Sequence, residues 1–301
     1  MSNPGSPTIG VFDSGFGGLT VLRALLERFP RARFAFLGDT ARLPYGSKSR
    51  RTIARYAAQS AQFLVREQGA EFLVIACNTA SALALDAIKD AVSVPVLGVI
   101  EPGAAAARAA SRTGDVLVIA TEATVHSHAY LAACQALGLR AIEKACPLLV
   151  PLVEEGWTGV PIAAGSVTSA AAAQAASAPP QVAVTEQVIR IYLDELNAEA
   201  KAAGLNPDTL VLGCTHYPLL RPLIQAAVPR GVRVIDSAES TAETALLQFG
   251  SRFANQAALP DSKIDPEIRC FASDSVEKFE RLGSRFLGRP TGSVELVDLG
   301  G

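Results

Sequence analysis

Short runs of branched apolar residues alternate with stretches of helical spacing along most of the chain. Thr8–Phe12 reads as a strand and Leu19–Phe29 as a helix. Arg33–Leu37 is a second strand. Ser49 then caps a helix that sets Ile53, Tyr56, Ala57, Ser60, Phe63 and Leu64 on one face. The run FLVIA at Phe72–Ala76 precedes a helix over Ala80–Asp90, and Val94–Gly98 precedes one over Ala104–Ala110. Asp115–Ala120 restarts the pattern, with a helix through Tyr130–Leu137 that takes in His126 and His128, and a strand at Arg140–Cys146. Ala163–Ala178 is rich in alanine and ends at Pro179-Pro180; Val184–Ala203 is a long amphipathic helix closed by Gly204. Thr209–Gly213 and Val232–Ile235 are strands, with helices at Leu219–Ala227 and Ser240–Phe253. A polar loop over Ala254–Asp265 leads to a closing strand, helix and strand at Ile268–Ala272, Val276–Phe286 and Val294–Val297.

Strands that alternate with helices predict an α/β fold with parallel sheets and right-handed crossovers. The runs FLVIA and TLVLG have the length and branching of strands buried on both faces. The chain divides into two α/β halves. If Asp13, Cys77 and Cys214 share a pocket, residues 1–98 with 209–301 form a discontinuous first domain, and 99–208 an inserted second one. A pocket between two such domains is the default place for a small ligand.

Composition narrows this picture. Hydrophobic residues make up 49% of the 301 and charged residues 19%, which supplies a core and argues against disorder. A net charge of −2 without a basic block argues against nucleic acid as the main partner. No apolar run is long enough to cross a bilayer, and MSNPGSP lacks the charged and apolar regions of a secretory signal. The five cysteines include no CxxC and no close pair, so a reducing compartment and a cytoplasmic location are expected.

Candidate chemistry gathers at the strand ends. FLVIACNTAS and TLVLGCTHYPL share one plan: an apolar run, a small residue, Cys, then a polar pair. Cys77-Asn78-Thr79 and Cys214-Thr215-His216 would lie where open α/β sheets place ligands. A thiol there gains from a helix N-terminus. Asp13 and Ser14 end the first strand, before glycines that could cradle an anion. Asp13 could bind an ammonium, or simply cap a helix. The loop Pro44-Tyr45-Gly46 is a tight turn whose amides, and the Tyr45 hydroxyl, could line a pocket, with Arg42 nearby. Glu154 and Glu155 are adjacent carboxylates, readable as a solvated helix end or as one acid with a raised pKa.

Three chemistries suit thiols with a histidine and carboxylates. A thiol hydrolase needs one activated Cys with His as base, yet His216 is two residues from Cys214 and Cys77 would be left unexplained. A metal site needs three or four ligands at suitable spacing, and Cys214-x-His216 is too tight, so no metal is expected. A two-thiol site removes a proton from carbon with one sulfur and returns one with the other, inverting a stereocentre. None of Lys48, Lys89, Lys144, Lys201, Lys263 and Lys278 stands in a convincing site for pyridoxal, so no cofactor is expected.

GVFDSGFGGLTVL, FLGDTARLPYGSKS, VIACNTASA and LVLGCTHYPLL, in that order, resemble the cofactor-independent glutamate racemases of the aspartate/glutamate racemase superfamily. The likeness extends through GVIEPG, VPLVEEG, VIDSAESTA and the closing strand–helix–strand. It implies two pseudo-symmetric three-layer αβα domains with mainly parallel sheets and an active site between them. It also implies catalytic Cys77 and Cys214, assisted by Asp13, Glu154 and His216. Substrate-binding positions would be Asp13, Ser14, Pro44, Tyr45, Gly46, Asn78, Thr79, Thr215 and His216. The expected substrate is glutamate, and the expected role is D-glutamate supply for peptidoglycan in a bacterial cytoplasm. A homodimer is expected. Aspartate or hydantoin racemisation, a regulatory role and a thiol hydrolase at Cys214 remain as alternatives.

Overall fold

A computed structural model describes residues 7–159, 180–252 and 266–300. The alanine-rich stretch 163–178 and the loop 254–265 lie outside the described residues.

In chain order the strands are β1 (Thr8–Asp13), β2 (Arg33–Gly38), β3 (Phe72–Ile75), β4 (Val96–Gly98), β5 (Asp115–Ala120), β6 (Arg140–Ala145), β7 (Thr209–Gly213), β8 (Arg233–Asp236), β9 (Ile268–Ala272) and β10 (Val294–Leu296). The helices are α1 (Leu19–Arg28), α2 (Arg50–Arg66), α3 (Asn78–Leu83), α4 (Leu85–Ala91), α5 (Ile100–Ala110), α6 (Glu122–Ser127), α7 (Ala129–Ala136), α8 (Leu149–Glu154), α9 (Pro180–Ala202), α10 (Arg221–Ala227), α11 (Ser237–Phe249) and α12 (Val276–Leu287).

Among the described residues the strands form a six-stranded sheet, ordered β10-β9-β2-β1-β3-β4, and a four-stranded sheet, ordered β6-β5-β7-β8. Every strand pair is parallel. The fold is therefore α/β with two parallel sheets. The interior strands β1, β3, β5 and β7 are buried along their whole length, as near-continuous apolar runs require. The edge strand β6, RAIEKA, mixes charged with apolar residues and is partly exposed.

The sheets divide the chain differently from the sequence-based boundary at residue 209. β7 pairs with β5, Val211 opposite Val118, and β8 pairs with β7, so the segment after Thr209 extends the second sheet. The chain rejoins the first sheet at β9, beside β2. An apolar run buried on both faces needs a partner on each edge but does not encode which sheet provides them. The consequence for the site is direct: Cys77 follows a strand of the first sheet and Cys214 a strand of the second.

Several helices start or break elsewhere than spacing suggests. The expected helix at Ala80 begins at Asn78 and is interrupted at Ala84, so Cys77 becomes its N-cap residue. α5 begins at Ile100, with Pro102 in its first turn, where a missing N–H is harmless. His126 lies on α6, but His128 has φ of 55° and separates α6 from α7. Ser49 does cap α2, its hydroxyl accepting from the Thr52 amide at 3.3 Å. One apolar cluster joins both sheets, with Phe16, Phe36 and Phe279 from the first side and Leu117, Leu212 and Tyr217 from the second. α11 packs on both α1 and α5 and bridges the two layers.

The turn after β2 is held by a single buried carboxylate. Asp39 accepts from the Tyr45 hydroxyl at 2.5 Å, Arg42 Nε at 2.9 Å and the Ser273 hydroxyl at 2.8 Å. Arg42 also reaches Gln59 at 2.6 Å and lies over the Tyr56 ring. Asp39→Ala would strand the buried Tyr45 hydroxyl and remove the acceptor of the half-buried Arg42 and Ser273, and we expect a loss of about 2–4 kcal/mol in urea unfolding. A parental unfolding midpoint would contradict this role for Asp39.

Candidate active site

Parallel pairing puts the carboxyl ends of all strands in a sheet along one edge. From those edges the loops after β1, β2, β3, β5, β6 and β7 converge on a cleft of about 510 Å³. Ser14, Pro44, Tyr45, Gly46, Cys77, Asn78, Thr79, Glu154, Cys214, Thr215 and His216 all line it. Asp13 does not. Its side chain is 1% exposed and lies beneath the floor. Its Oδ2 accepts from the Gly15 amide at 2.9 Å, while Oδ1 has no hydrogen-bond partner. It neither caps α1, whose N-cap is Gly18, nor meets the cleft as an ammonium ligand would.

The glycines after Asp13 serve close approach, and none of them lines the cleft as an anion cradle. A Cβ on Gly17 would strike the Thr215 hydroxyl and come within 2.6 Å of His216 Nδ1. A Cβ on Gly18 would come within 2.5 Å of Asp13 Cβ and 2.8 Å of Ala76 Cβ. Bare backbone at Gly17 lets the first sheet's loop press against the second sheet's Thr215-His216, and at Gly18 it lets the loop close onto Asp13 and Ala76 of its own side.

The two thiols have unlike surroundings. The Cys77 Sγ–H donates to the Ser14 hydroxyl at 3.4 Å, and Sγ accepts from the Ala80 amide at 3.4 Å. Burial pushes the Cys77 thiol up to about 12, the negative charge of Asp13 adds to this, and the bonds to Ser14 and Ala80 only partly oppose it. Burial likewise raises the Asp13 carboxyl above its ordinary range, opposed by the charge of His216 and by the Gly15 and Gly18 amides. On the other side, Cys214 Sγ stands 4.0 Å from His216 Nδ1, and His216 Nε2 stands 3.4 Å from Glu154 Oε1. Lys278 Nζ then meets Glu154 Oε2 at 3.1 Å. Burial works to lower the His216 pKa, but Cys214 and Glu154 together raise it to about 10. Burial alone would raise the Glu154 carboxyl; His216 and Lys278 reverse this and hold it below its ordinary value. The rings of Phe286 and Phe16 flank the imidazole, with centroids 5.0 and 6.2 Å away.

Several sequence-based assignments change. Glu154, not Glu155, faces the cleft. The Tyr45 hydroxyl is committed to Asp39, and Arg42 is held behind the loop by Asp39 and Gln59. Asp236, whose strand ending echoes Asp13, caps α11 through the Ala238 amide and pairs with Arg221. Lys278, for which the sequence offered no convincing site, is an exposed residue of α12 that also lines the cleft. Thr121 was missed. It lines the cleft and forms a ring of hydroxyls with Thr79 and Thr124, at 3.0, 3.2 and 2.9 Å. It follows the apolar run VLVIA directly, so the rule that singled out Cys77 and Cys214 also reaches Thr121. No group of three His, Cys, Asp or Glu residues able to hold a metal exists among the described residues.

Two buried thiols line one cleft between two parallel sheets of an α/β fold. The sequence matches the family model described as Asp/Glu/Hydantoin racemase over residues 9–245. It is 51% identical to a glutamate racemase of Koribacter versatilis, with 98% of each chain covered. Its fold matches the crystal structure of a glutamate racemase from Bacillus anthracis at a TM-score of 0.77 and 34% identity, covering 98% of both chains. The glutamate racemase of Francisella tularensis, solved in complex with D-glutamate, matches at a TM-score of 0.77 and 33% identity, again over 98% of both. The chain belongs to the Asp/Glu/hydantoin racemase family and is an isomerase.

The raised pKa of His216 yields a pH-dependent prediction. The stability it contributes is fully present below its ordinary pKa of 6.5 and is lost as pH rises through about 10. Glu154→Gln removes part of that stabilisation. Its thermal midpoint should fall below the parent's at neutral pH, and the gap should narrow as pH approaches 10. A gap that does not vary with pH would contradict the pairing.

Proposed function

We propose that this protein interconverts L- and D-glutamate without a cofactor, using Cys77 and Cys214 as the two proton-transfer groups. The observation that carries the reading is that both sulfurs line one cleft in opposite electrostatic surroundings. Cys77 keeps its proton and is the donor. Cys214 is the base, with the His216 imidazolium as its counter-ion. The Cα–H bond breaks as an S–H bond forms at one sulfur. The other S–H bond then breaks and its proton reaches Cα from the opposite face. The cycle leaves the charges exchanged, which readies the site for the other enantiomer.

Asp13, beneath Cys77, and the Glu154–His216 pair, beside Cys214, assist the two sulfurs. The substrate α-carboxylate suits Ser14, Asn78, Thr79 and Thr215, all at strand ends or helix starts. The amides of the Pro44–Gly46 turn suit the side-chain carboxylate. These fixed donors in a desolvated cleft stabilise the charge that develops when the α-proton leaves. The D-glutamate held by the Francisella protein supports glutamate as substrate. D-Glutamate supply for peptidoglycan, a cytoplasmic location and a homodimer are part of the same proposal and rest on the family resemblance.

Cys77→Ser and Cys214→Ser should each lower racemisation of glutamate by about 10²- to 10⁴-fold, followed by circular dichroism from either enantiomer. Parental turnover by either variant would overturn the two-thiol reading. Faster turnover of D-aspartate than of D-glutamate by the parent enzyme would overturn the substrate assignment.

A further inference from the structure

Asn78 is the first residue of α3 and is 3% exposed. Its Oδ1 accepts from the Tyr130 hydroxyl at 2.7 Å. Its Nδ2 is buried, has no hydrogen-bond partner, and belongs to a side chain that lines the cleft. A buried amide donor without an acceptor is costly unless a ligand supplies one. The two ends of a carboxamide are nearly the same shape, so packing cannot decide which end faces the ligand. Hydrogen bonding must decide it.

Tyr130 is fitted to that task. Its side chain is completely buried, does not line the cleft, and reaches Asn78 from α7. Ser237, at the start of α11, packs beside Gly103 on the same side as the phenol. Gly103 on α5 makes room for it, since a Cβ there would stand 3.0 Å from the Tyr130 oxygen. With the phenol fully buried, its proton needs an acceptor, and Asn78 Oδ1 supplies it. A reversed amide would set its NH₂ against this O–H, leave the phenol proton without an acceptor, and turn Oδ1 toward the ligand.

We propose that Tyr130 is a positioning residue for racemisation, locking the Asn78 carboxamide with its nitrogen toward the cleft, where it donates to the substrate carboxylate. The proposal rests on Asn78 being a carboxylate ligand, as read above. Tyr130 touches no substrate and acts through Asn78 alone. The lock spans both sides of the cleft, because Asn78 follows β3 of the first sheet whereas Tyr130 packs in the apolar cluster over β5 and β7 of the second.

The test is a double-mutant cycle on the full-length enzyme, with kcat/KM measured from both enantiomers and thermal unfolding as a check of folding. Tyr130→Phe should lower kcat/KM by about three- to tenfold, mainly through KM. In an Asn78→Ala background the same change should alter kcat/KM by less than about twofold. If Asn78→Ala does not fold, Asn78→Leu serves the same comparison. Equal losses in both backgrounds would mean that Tyr130 only supports the fold, and would overturn the proposal. So would a parental kcat/KM for Tyr130→Phe. An Asn78→Ala enzyme with parental KM would instead overturn the assignment of Asn78 to the substrate carboxylate.

Discussion

A thiol withdrawn from water resists ionisation, because the thiolate loses its hydration while the neutral form loses little. Cys77 and Cys214 are both buried, at 5% and 6% exposure, and burial pushes the Cys77 thiol up. What differs is the nearest charge. Asp13 adds negative charge beside Cys77 and reinforces the effect of burial. At Cys214 the neighbour is His216, whose pKa Cys214 and Glu154 together raise to about 10. A pair of like groups is thereby made unlike, and under the proposed mechanism one sulfur can give a proton while the other takes one.

The fold makes this inequality possible through parallel strands. Each sulfur lies just past the carboxyl end of an interior strand, and the two strands belong to different sheets. The sheets therefore have to be held in close register. Gly17 allows backbone-to-side-chain contact across the boundary, and Phe16 reaches His216 from the first sheet. Lys278, from the helix between β9 and β10, closes the acid chain on Glu154. Asp39 pins the Pro44–Gly46 turn against Ser273 of the β9 end, so the cleft wall is set by a buried carboxylate that never meets the ligand. The bond from Tyr130 to Asn78 is a further link between the two sides.

Much of this was legible in the sequence for a physical reason. Apolar runs ending in Cys and a polar pair mark buried strands that open onto a site, and both cysteine stretches do so. The strand–helix alternation likewise revealed the α/β class. Sheet membership of β7 was not legible, because TLVLG is apolar on every side and carries no directional information. The partners of Asp39 come from residues 42, 45 and 273, and only folding assembles them. Tyr130 lies 52 positions from Asn78, and the spacing of α7 marks it only as a core aromatic. The turn at His128 was hidden because its left-handed conformation is carried by a residue other than glycine. The choice between Glu154 and Glu155 needed the end of α8, where one residue of rotation separates cleft from solvent.

Under the proposed mechanism two different sulfurs handle the departing and the arriving proton. Racemisation in deuterium oxide, sampled by mass spectrometry in the first few per cent of turnover, addresses it directly. Deuterium is expected at Cα in the newly formed enantiomer, with the remaining starting enantiomer unlabelled, from either direction. Product that retains the original proton, or early deuterium in the starting enantiomer, would show one group doing both tasks and would contradict the account.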